Sequence, residues 1–209
     1  SKSADAHLAY ARSLMNADRL EEAQKQLNEA TRIDPSSADA WILKAALQAQ
    51  LKQYSEADVS LLKLDTLIDK FPSQVLQREV RIQSLMLREQ MAEAQKKWEE
   101  AERWADEIAK TGNQPLATLR KASIRMQQGQ FEAAATLLND LPETNPGEIR
   151  TKLSAQTQLY KTAKNYTQAL EVQSKLVEMQ PNDPDLLYEQ AMLAERANKI
   201  EETEALLRK

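Results

Sequence analysis

The 209-residue chain has no cysteine, one histidine, two phenylalanines and only three glycines. Without cysteine there is neither a disulfide nor a thiolate metal site, and the redox compartment is left open. The single histidine, His7, has no Cys, His, Asp or Glu cluster of ligand-like spacing around it, so no metal is expected. It reads as a structural residue, because a lone histidine seldom forms a catalytic site by itself. Gly112, Gly129 and Gly147 stand far apart, which excludes a glycine-rich phosphate loop. No apolar run approaches the roughly 20 residues of a membrane-spanning helix. The opening Ser1-Lys2-Ser3-Ala4-Asp5 is not a signal peptide. Without an initiator Met, and with Leu206-Leu207-Arg208-Lys209 at its end, the chain reads as a fragment of a longer protein. Also missing is any block of one charge. The 28 basic and 32 acidic residues are interspersed, the net charge is -4 and the pI is near 5.3. Nucleic acid is therefore not an expected partner, since it requires a basic stripe that displaces counterions.

What is abundant is Ala, Leu, Gln, Glu and Lys, which lose little rotamer freedom in a helix. An all-α chain follows. Along it runs an echo: Leu20-Glu21-Glu22-Ala23, Tyr54-Ser55-Glu56-Ala57, Met91-Ala92-Glu93-Ala94, Phe131-Glu132-Ala133-Ala134, Tyr166-Thr167-Gln168-Ala169 and Ile200-Glu201-Glu202-Thr203. The leading residues are spaced by 34, 37, 40, 35 and 34. A period near 34 accommodates two helices of three to four turns with tight turns between them. The chain is thus expected to be one domain over 1–209, with repeats at about 4–37, 38–74, 75–114, 115–149, 150–183 and 184–209. Carboxylates such as Glu21, Glu22, Glu201 and Glu202 fall on the outer, solvated faces of amphipathic helices. No constellation for catalysis converges, so no enzyme activity and no cofactor are expected.

In the first repeat, Tyr10, Ala11 and Leu14 fall on the first helix (helix A), Ala23, Leu27 and Ala30 on the second (helix B), and Asp34-Pro35 closes the unit. This large-small-large then small-large-small pattern resembles the tetratricopeptide repeat. Trp41, Ala45, Ala57 and Leu61 repeat it, as do Tyr160, Ala169, Leu176 and Pro181, and then Leu187, Ala191 and Ala194 after Asp183-Pro184. The resemblance implies a right-handed α-solenoid of about six helix-turn-helix repeats, the last truncated. Thr118, Lys44 and Lys121 depart from the pattern, as does His7 in place of a large first residue. Asp183, and Thr144 or Asn145, stand as N-caps before prolines at first helical positions. The long intervals place lengthened B helices in repeats two and three. In repeat three that helix would contain Met91-Ala92-Glu93-Ala94 and continue to Lys110, braced by Lys96/Glu100, Glu99/Arg103, Arg103/Glu107 and Asp106/Lys110 at i,i+4.

Membership of this family implies that helix A lines a concave binding face. Carried over position by position, the candidates are Leu8, Arg12 and Met15, then Ile42 with Ala46 and Ala49, then Leu76, Glu79, Gln83 and Met86. Further along they are Leu119, Ser123 and Met126 with Leu116, then Gln158 with Ser154 and Lys161, then Tyr188, Met192 and Glu195. Met15, Met86 and Met126 share one position in this register. Flexible thioethers suit an adaptable peptide groove and equally fill gaps between helices. The carboxylate clamp of chaperone-cochaperone members is absent, since Leu8, Arg12, Leu43, Leu76 and Val80 occupy its positions. An apolar or extended segment is the expected ligand. Trp98 reads as core on helix B, whereas Trp104, beside Arg103 on the overhanging helix, is a candidate hot spot.

The stretch Pro184-Asp185-Leu186-Leu187-Tyr188-Glu189-Gln190-Ala191-Met192-Leu193-Ala194-Glu195 is similar to one in long repeat lipoproteins of the proteobacterial envelope. Some of these are adaptors that bring substrates to a processing protease, which implies a periplasmic location anchored to the outer membrane, against a cytoplasmic alternative. The function expected is a non-catalytic scaffold that binds a protein or peptide partner. A self-assembling structural role and the regulatory part of a larger enzyme are the alternatives.

Overall fold

The structure is a computed structural model that describes residues 2–199. The last echo, from Ile200 onward, lies outside the described residues. Among the described residues there are eleven α-helices and no strand: α1 (Lys2–Asn16), α2 (Leu20–Ile33), α3 (Ala38–Gln50), α4 (Tyr54–Ile68), α5 (Gln74–Ala94), α6 (Trp98–Lys110), α7 (Gln114–Gln127), α8 (Phe131–Asn139), α9 (Pro146–Thr162), α10 (Tyr166–Met179) and α11 (Pro184–Arg196). None of these helices is long and apolar enough to cross a membrane. The chain divides into two compact units, one ending at Gly112 and the other beginning at Asn113.

Odd-numbered helices are the A members of each pair and even-numbered helices the B members. Their starts are fixed by different chemistry. Ser37, Ser73, Asn113, Asn145 and Asp183 each accept a backbone N–H from the first turn of α3, α5, α7, α9 and α11, filling one orphan donor. At α9, the Thr144 hydroxyl and N–H also donate to Glu148, which holds the Glu148 carboxyl below its usual range. Helix B starts differently. Two residues before each one sits a residue with positive φ: Asp18, Lys52, Lys96, Gly129 and Lys164. The next N–H then reaches back five residues, as in Arg19 to Leu14, Gln53 to Gln48, Lys97 to Ala92, Gln130 to Arg125 and Asn165 to Tyr160, at 2.8–2.9 Å. This closes helix A with a Schellman turn and launches helix B at a set angle. Asn198 and Lys199 repeat the turn after α11.

That regularity corrects the sequence register in repeat three. Met91-Ala92-Glu93-Ala94 is the last turn of helix A, not the start of helix B, and the true echo is Trp98-Glu99-Glu100-Ala101. The deciding residue is the fourth. Ala23, Ala57, Ala101, Ala134 and Ala169 are all fully buried, whereas Ala94 is exposed. The starts of helix B are then separated by 34, 44, 33 and 35 residues, with all the excess before α6. Eight of the ten extra residues reside in α5, which has 21 residues against 13 in α3. Every A helix of the five described pairs ends four residues before its partner begins, so those eight lie at the N-terminal end of α5, over 74–81. Those eight residues add about 12 Å of helix. Neither B helix is lengthened as expected: α4 has 15 residues against 14 in α2, and α6 has 13. Lys96 lies in the turn, and Lys97 before α6 pairs with Glu100 at 3.9 Å while Lys110 pairs with Glu107 at 2.6 Å.

In the first unit Ala11, Leu14, Ala23, Leu27 and Leu47 form one core cluster, and Ala45, Ala57, Leu61, Leu64, Ile68, Val80 and Met91 form the next. In the second unit Ala122, Ala134, Leu138, Leu141 and Leu159 are followed by Ala169, Leu170, Leu193 and Ala194. Each buried Leu or Ile contributes about 1.5–3 kcal/mol relative to exposure. The alanines let the helix axes approach closely enough for ridges to enter grooves. Helix α8 is short, with nine residues, and Lys152 from α9 caps it. Its ammonium donates to the carbonyls of Asn139 at 2.6 Å and Leu141 at 3.3 Å and pairs with Glu143 at 2.7 Å. A cation at the helix C-terminus matches the local dipole.

The corrected turn has a direct test. A non-glycine residue in the left-handed region costs roughly 1 kcal/mol, so Lys96→Gly is expected to raise stability by about 0.5 kcal/mol after the added unfolded-state entropy. Were 91–110 one helix, the same change would lower stability by about 1 kcal/mol. The urea midpoint at constant m-value distinguishes the two signs.

Candidate functional site

Counting back from the left-handed residue of the turn that closes helix A aligns the helix-A positions. Leu8, Ile42, Met86, Leu119, Ser154 and Tyr188 are equivalent, as are Arg12, Ala46, Gln90, Ser123, Gln158 and Met192, and then Met15, Ala49, Glu93, Met126, Lys161 and Glu195. The sequence register misplaced repeat three. Met86 aligns with Leu8 and Tyr188 rather than with Met15 and Met126, while Leu76, Glu79 and Gln83 belong to or border the added turns of α5. On the helical wheel Glu79 and Gln83 still continue the stripe of Met86, Gln90 and Glu93.

In the first unit these positions come together on α1, α3 and α5. Helices α3 and α5 touch directly, and Arg12 of α1 pairs with Asp39 of α3 at 3.6 Å. Both partners of that pair are exposed, which limits it to about 0–1 kcal/mol. Leu8 and Met15 are half-buried against the α1–α2 core, and Ile42 packs on the α3–α4 core. Met86 is half-buried, Glu79 and Gln83 are exposed, and Leu76 is 40% exposed. In the second unit α7 touches α9, and Lys161 of α9 pairs with Glu189 of α11. Leu119 and Met126 pack on the α7–α8 core, and Ser123 and Met192 are half-buried. Gln158 is exposed, and Tyr188 is 63% exposed. Met15 and Met126 thus fill gaps beside the core while keeping one side open. Buried in the small slot of helix A are Ala11, Ala45, Ala122 and Ala191, with Glu89 and Thr157 taking that slot in repeats three and five.

His7 Nδ1 lies 2.7 Å from Gln26 Oε1, an inter-helix hydrogen bond consistent with a structural role. Lys44, where Leu was expected, extends its ammonium over the Trp41 ring at 5.1 Å, and partial burial pushes its pKa down. No group of three or more His, Cys, Asp or Glu among the described residues is arranged to hold a metal.

The pair Arg103 and Trp104 is corrected in two respects. It does not lie on a lengthened helix, and Arg103 is not the cation beside the ring. Trp98, expected in the core, opens α6 and is half-buried. Arg103 is exposed, while half-buried Trp104 carries the guanidinium of Arg88 from α5 at 5.3 Å from its ring centre. Arg88 is itself buried and reaches Asp65 of α4 at 2.6 Å and Asp58 at 3.7 Å. The Ser84 hydroxyl donates to the other Asp65 oxygen at 3.2 Å. Around this junction opens a cleft of about 710 Å³ between α4, α5 and α6. Its α5 wall is Gln74, Gln77, Arg78, Arg81, Ser84, Leu85 and Arg88, at helical spacing. At 100° per residue that wall lies roughly opposite the stripe of Glu79, Gln83 and Met86. The available sequence signal was Arg78, Arg81 and Arg88 recurring at i, i+3 and i+10 on one face.

Arg88 ties three helices, so removing it leaves Asp65 without its close cation. Arg88→Ala is expected to lower stability by about 2 kcal/mol. Asp65→Asn should cost about 1 kcal/mol, Asp65 being partly solvated. A double-mutant cycle by urea unfolding checks the link: coupling below about 0.5 kcal/mol would show that the two residues do not act as a pair.

Residues 4–47 match the family model described as tetratricopeptide repeat. No curated protein sequence matches the chain. Among solved structures it is similar to a tetratricopeptide repeat protein from Parabacteroides merdae, with a TM-score of 0.57 and 16% identity, over 100% of this chain and 78% of that one. It is similar also to PilW, described as a widely conserved type IV pilus biogenesis factor, with a TM-score of 0.59 and 14% identity, over 99% and 91% of the two chains. A thermophilic TPR protein of Thermus thermophilus gives a TM-score of 0.54 and 18% identity over 91% and 98%. Identities this low speak for the fold alone. With residues 4–47 matching the family model and the later helix pairs built on the same turn and the same buried alanine, the chain has the fold of a tetratricopeptide-repeat array.

Proposed function

We propose that the protein is a non-catalytic scaffold that holds a protein or peptide partner on the helix-A face of its repeats. The repeat fold is typical of protein–protein interaction scaffolds, because stacked helix pairs present a row of side chains that no part of the repeat itself covers. The observation that carries the reading is the uncovered apolar surface at helix-A positions. Leu76 and Tyr188 are exposed, and half-buried Leu8, Met15, Ile42, Met86, Leu119, Met126 and Met192 accompany them within their respective units. Polar Arg12, Glu79, Gln83, Ser123 and Gln158 border the apolar ones, the pattern of an interface core with a hydrated rim. With repeat three shifted by seven residues, the positions of the carboxylate clamp hold Leu8, Arg12, Leu43, Gln83 and Leu87, of which only Arg12 is a cation, and this favours an apolar or extended segment over an acidic chain terminus.

Site-specific photo-crosslinking tests this reading. A benzophenone residue at Gln83 or Gln158 is expected to capture a discrete partner from envelope or cytosolic extracts. The same probe at Val59, exposed on α4, is the control. Leu76→Glu should reduce capture at Gln83, and Tyr188→Ser capture at Gln158, each by about five- to tenfold, a loss near 1–1.4 kcal/mol. Both side chains are exposed, so folding is retained. Equal capture at Val59, or capture insensitive to both substitutions, would remove the helix-A face from the function.

A further inference from the structure

On α5, the face turned away from the helix-A stripe carries a second surface of different chemistry. Four cations line the cleft between α4, α5 and α6, and three of them are already matched. Arg81 pairs with Asp69 at 2.9 Å, Arg88 with Asp65 at 2.6 Å, and Lys110 with Glu107 at 2.6 Å. Arg78 has no ion pair or hydrogen bond among the described residues, and its guanidinium lies over Gly112. Beside it the cleft offers apolar surface from Leu62, which is 57% exposed, from half-buried Leu85 and from half-buried Trp104. The cation on the Trp104 ring, the Asp65 hydrogen bonds and the rigid helices hold these groups in place before any ligand arrives, which reduces the entropy lost on binding.

We propose that this cleft binds an acidic segment of a protein partner, in which one side-chain carboxylate pairs with Arg78 and an adjacent apolar side chain lies on Leu62, Leu85 and Trp104. A guanidinium presents a planar fork that matches a carboxylate in two hydrogen bonds. The occupant is a short acidic segment and not a polyanion. Asp65 and Glu107 also line the cleft, and a nucleic-acid backbone would bring successive phosphates against them. Single negative charge with neighbouring apolar surface is what one unmatched cation beside three apolar side chains complements. This surface is independent of the helix-A face, so both can be occupied together.

The probe is a blocked nonapeptide with acetyl and amide ends, Gly-Glu-Leu-Glu-Gly-Glu-Leu-Glu-Gly, titrated into the ¹⁵N-labelled 209-residue chain. Its counterpart with lysine in place of glutamate serves as control. The indole N–H signal of Trp104, assigned by its loss in Trp104→Phe, is expected to shift with the acidic peptide and stay still with the basic one. Arg78→Gln should weaken binding by about fivefold, the size of one partly exposed charge pair. Sodium chloride at 0.5 M should weaken it further in the wild type than in Arg78→Gln, because screening acts on the charge that the variant lacks. Leu76→Glu, on the opposite face, should leave the affinity unchanged, which separates this site from the scaffold surface. An unmoved Trp104 signal at millimolar peptide, equal shifts with the basic peptide, or an affinity insensitive to Arg78→Gln would each overturn the proposal.

Discussion

The close approach of helix B to the helices beside it is the constraint on which the structure depends. One position enforces it: the fourth residue of helix B is a fully buried alanine in all five described pairs, at Ala23, Ala57, Ala101, Ala134 and Ala169. A longer side chain there would push helix axes apart and open the core, at a cost of about 1–3 kcal/mol for overpacking. The turn before it serves the same end. A left-handed residue two positions ahead of helix B, followed by the hydrogen bond that closes helix A, sets the angle at which the alanine meets its neighbour. Five of the six positive-φ residues in these turns are not glycine, so the backbone strain is accepted and packing of the helices offsets it.

Once the turn and the alanine are fixed, the pair tolerates change at its other end. Helix A ranges from 13 to 21 residues, and the variation is confined to its N-terminus, where a Ser, Asn or Asp cap can restart the helix wherever the chain supplies one. In α5 this freedom was used to add two turns. Residues 74–81 contribute Gln74, Gln77, Arg78 and Arg81 to one side and Leu76 and Glu79 to the other. One local lengthening therefore extends the helix-A stripe and builds the cleft behind it.

The all-α repeat fold was legible from composition and period. Asp183 and Asn145 capped as their sequence contexts imply. The failure in repeat three has a physical cause. Met91-Ala92-Glu93-Ala94 imitates the start of helix B because a large residue followed three positions later by alanine suits any amphipathic helix, including the end of helix A. The discriminating residue, Lys96, has little intrinsic preference for the left-handed region, unlike Gly129 in the same role. Trp98-Glu99-Glu100-Ala101 was a better match to Leu20-Glu21-Glu22-Ala23, with its acidic pair at the positive end of the helix. Of the candidate surface, the helix-A positions outside repeat three follow from register alone. The junction of Asp65, Arg88 and Trp104 does not, since it joins three helices and depends on tertiary distances that no spacing encodes.

That junction also bears on what a charged residue does inside a repeat. A guanidinium withdrawn from water loses hydration that two carboxylates and an aromatic face only in part replace, so the net gain over an apolar residue of similar size is small. Its effect is geometric. By holding Asp65 on α4 and the ring of Trp104 on α6, Arg88 fixes the two walls of the cleft relative to α5. A leucine could fill comparable volume there, but it would leave Asp65 and Trp104 free to choose other rotamers. The lengthened helix provides the length of the cleft, and the buried arginine provides its width.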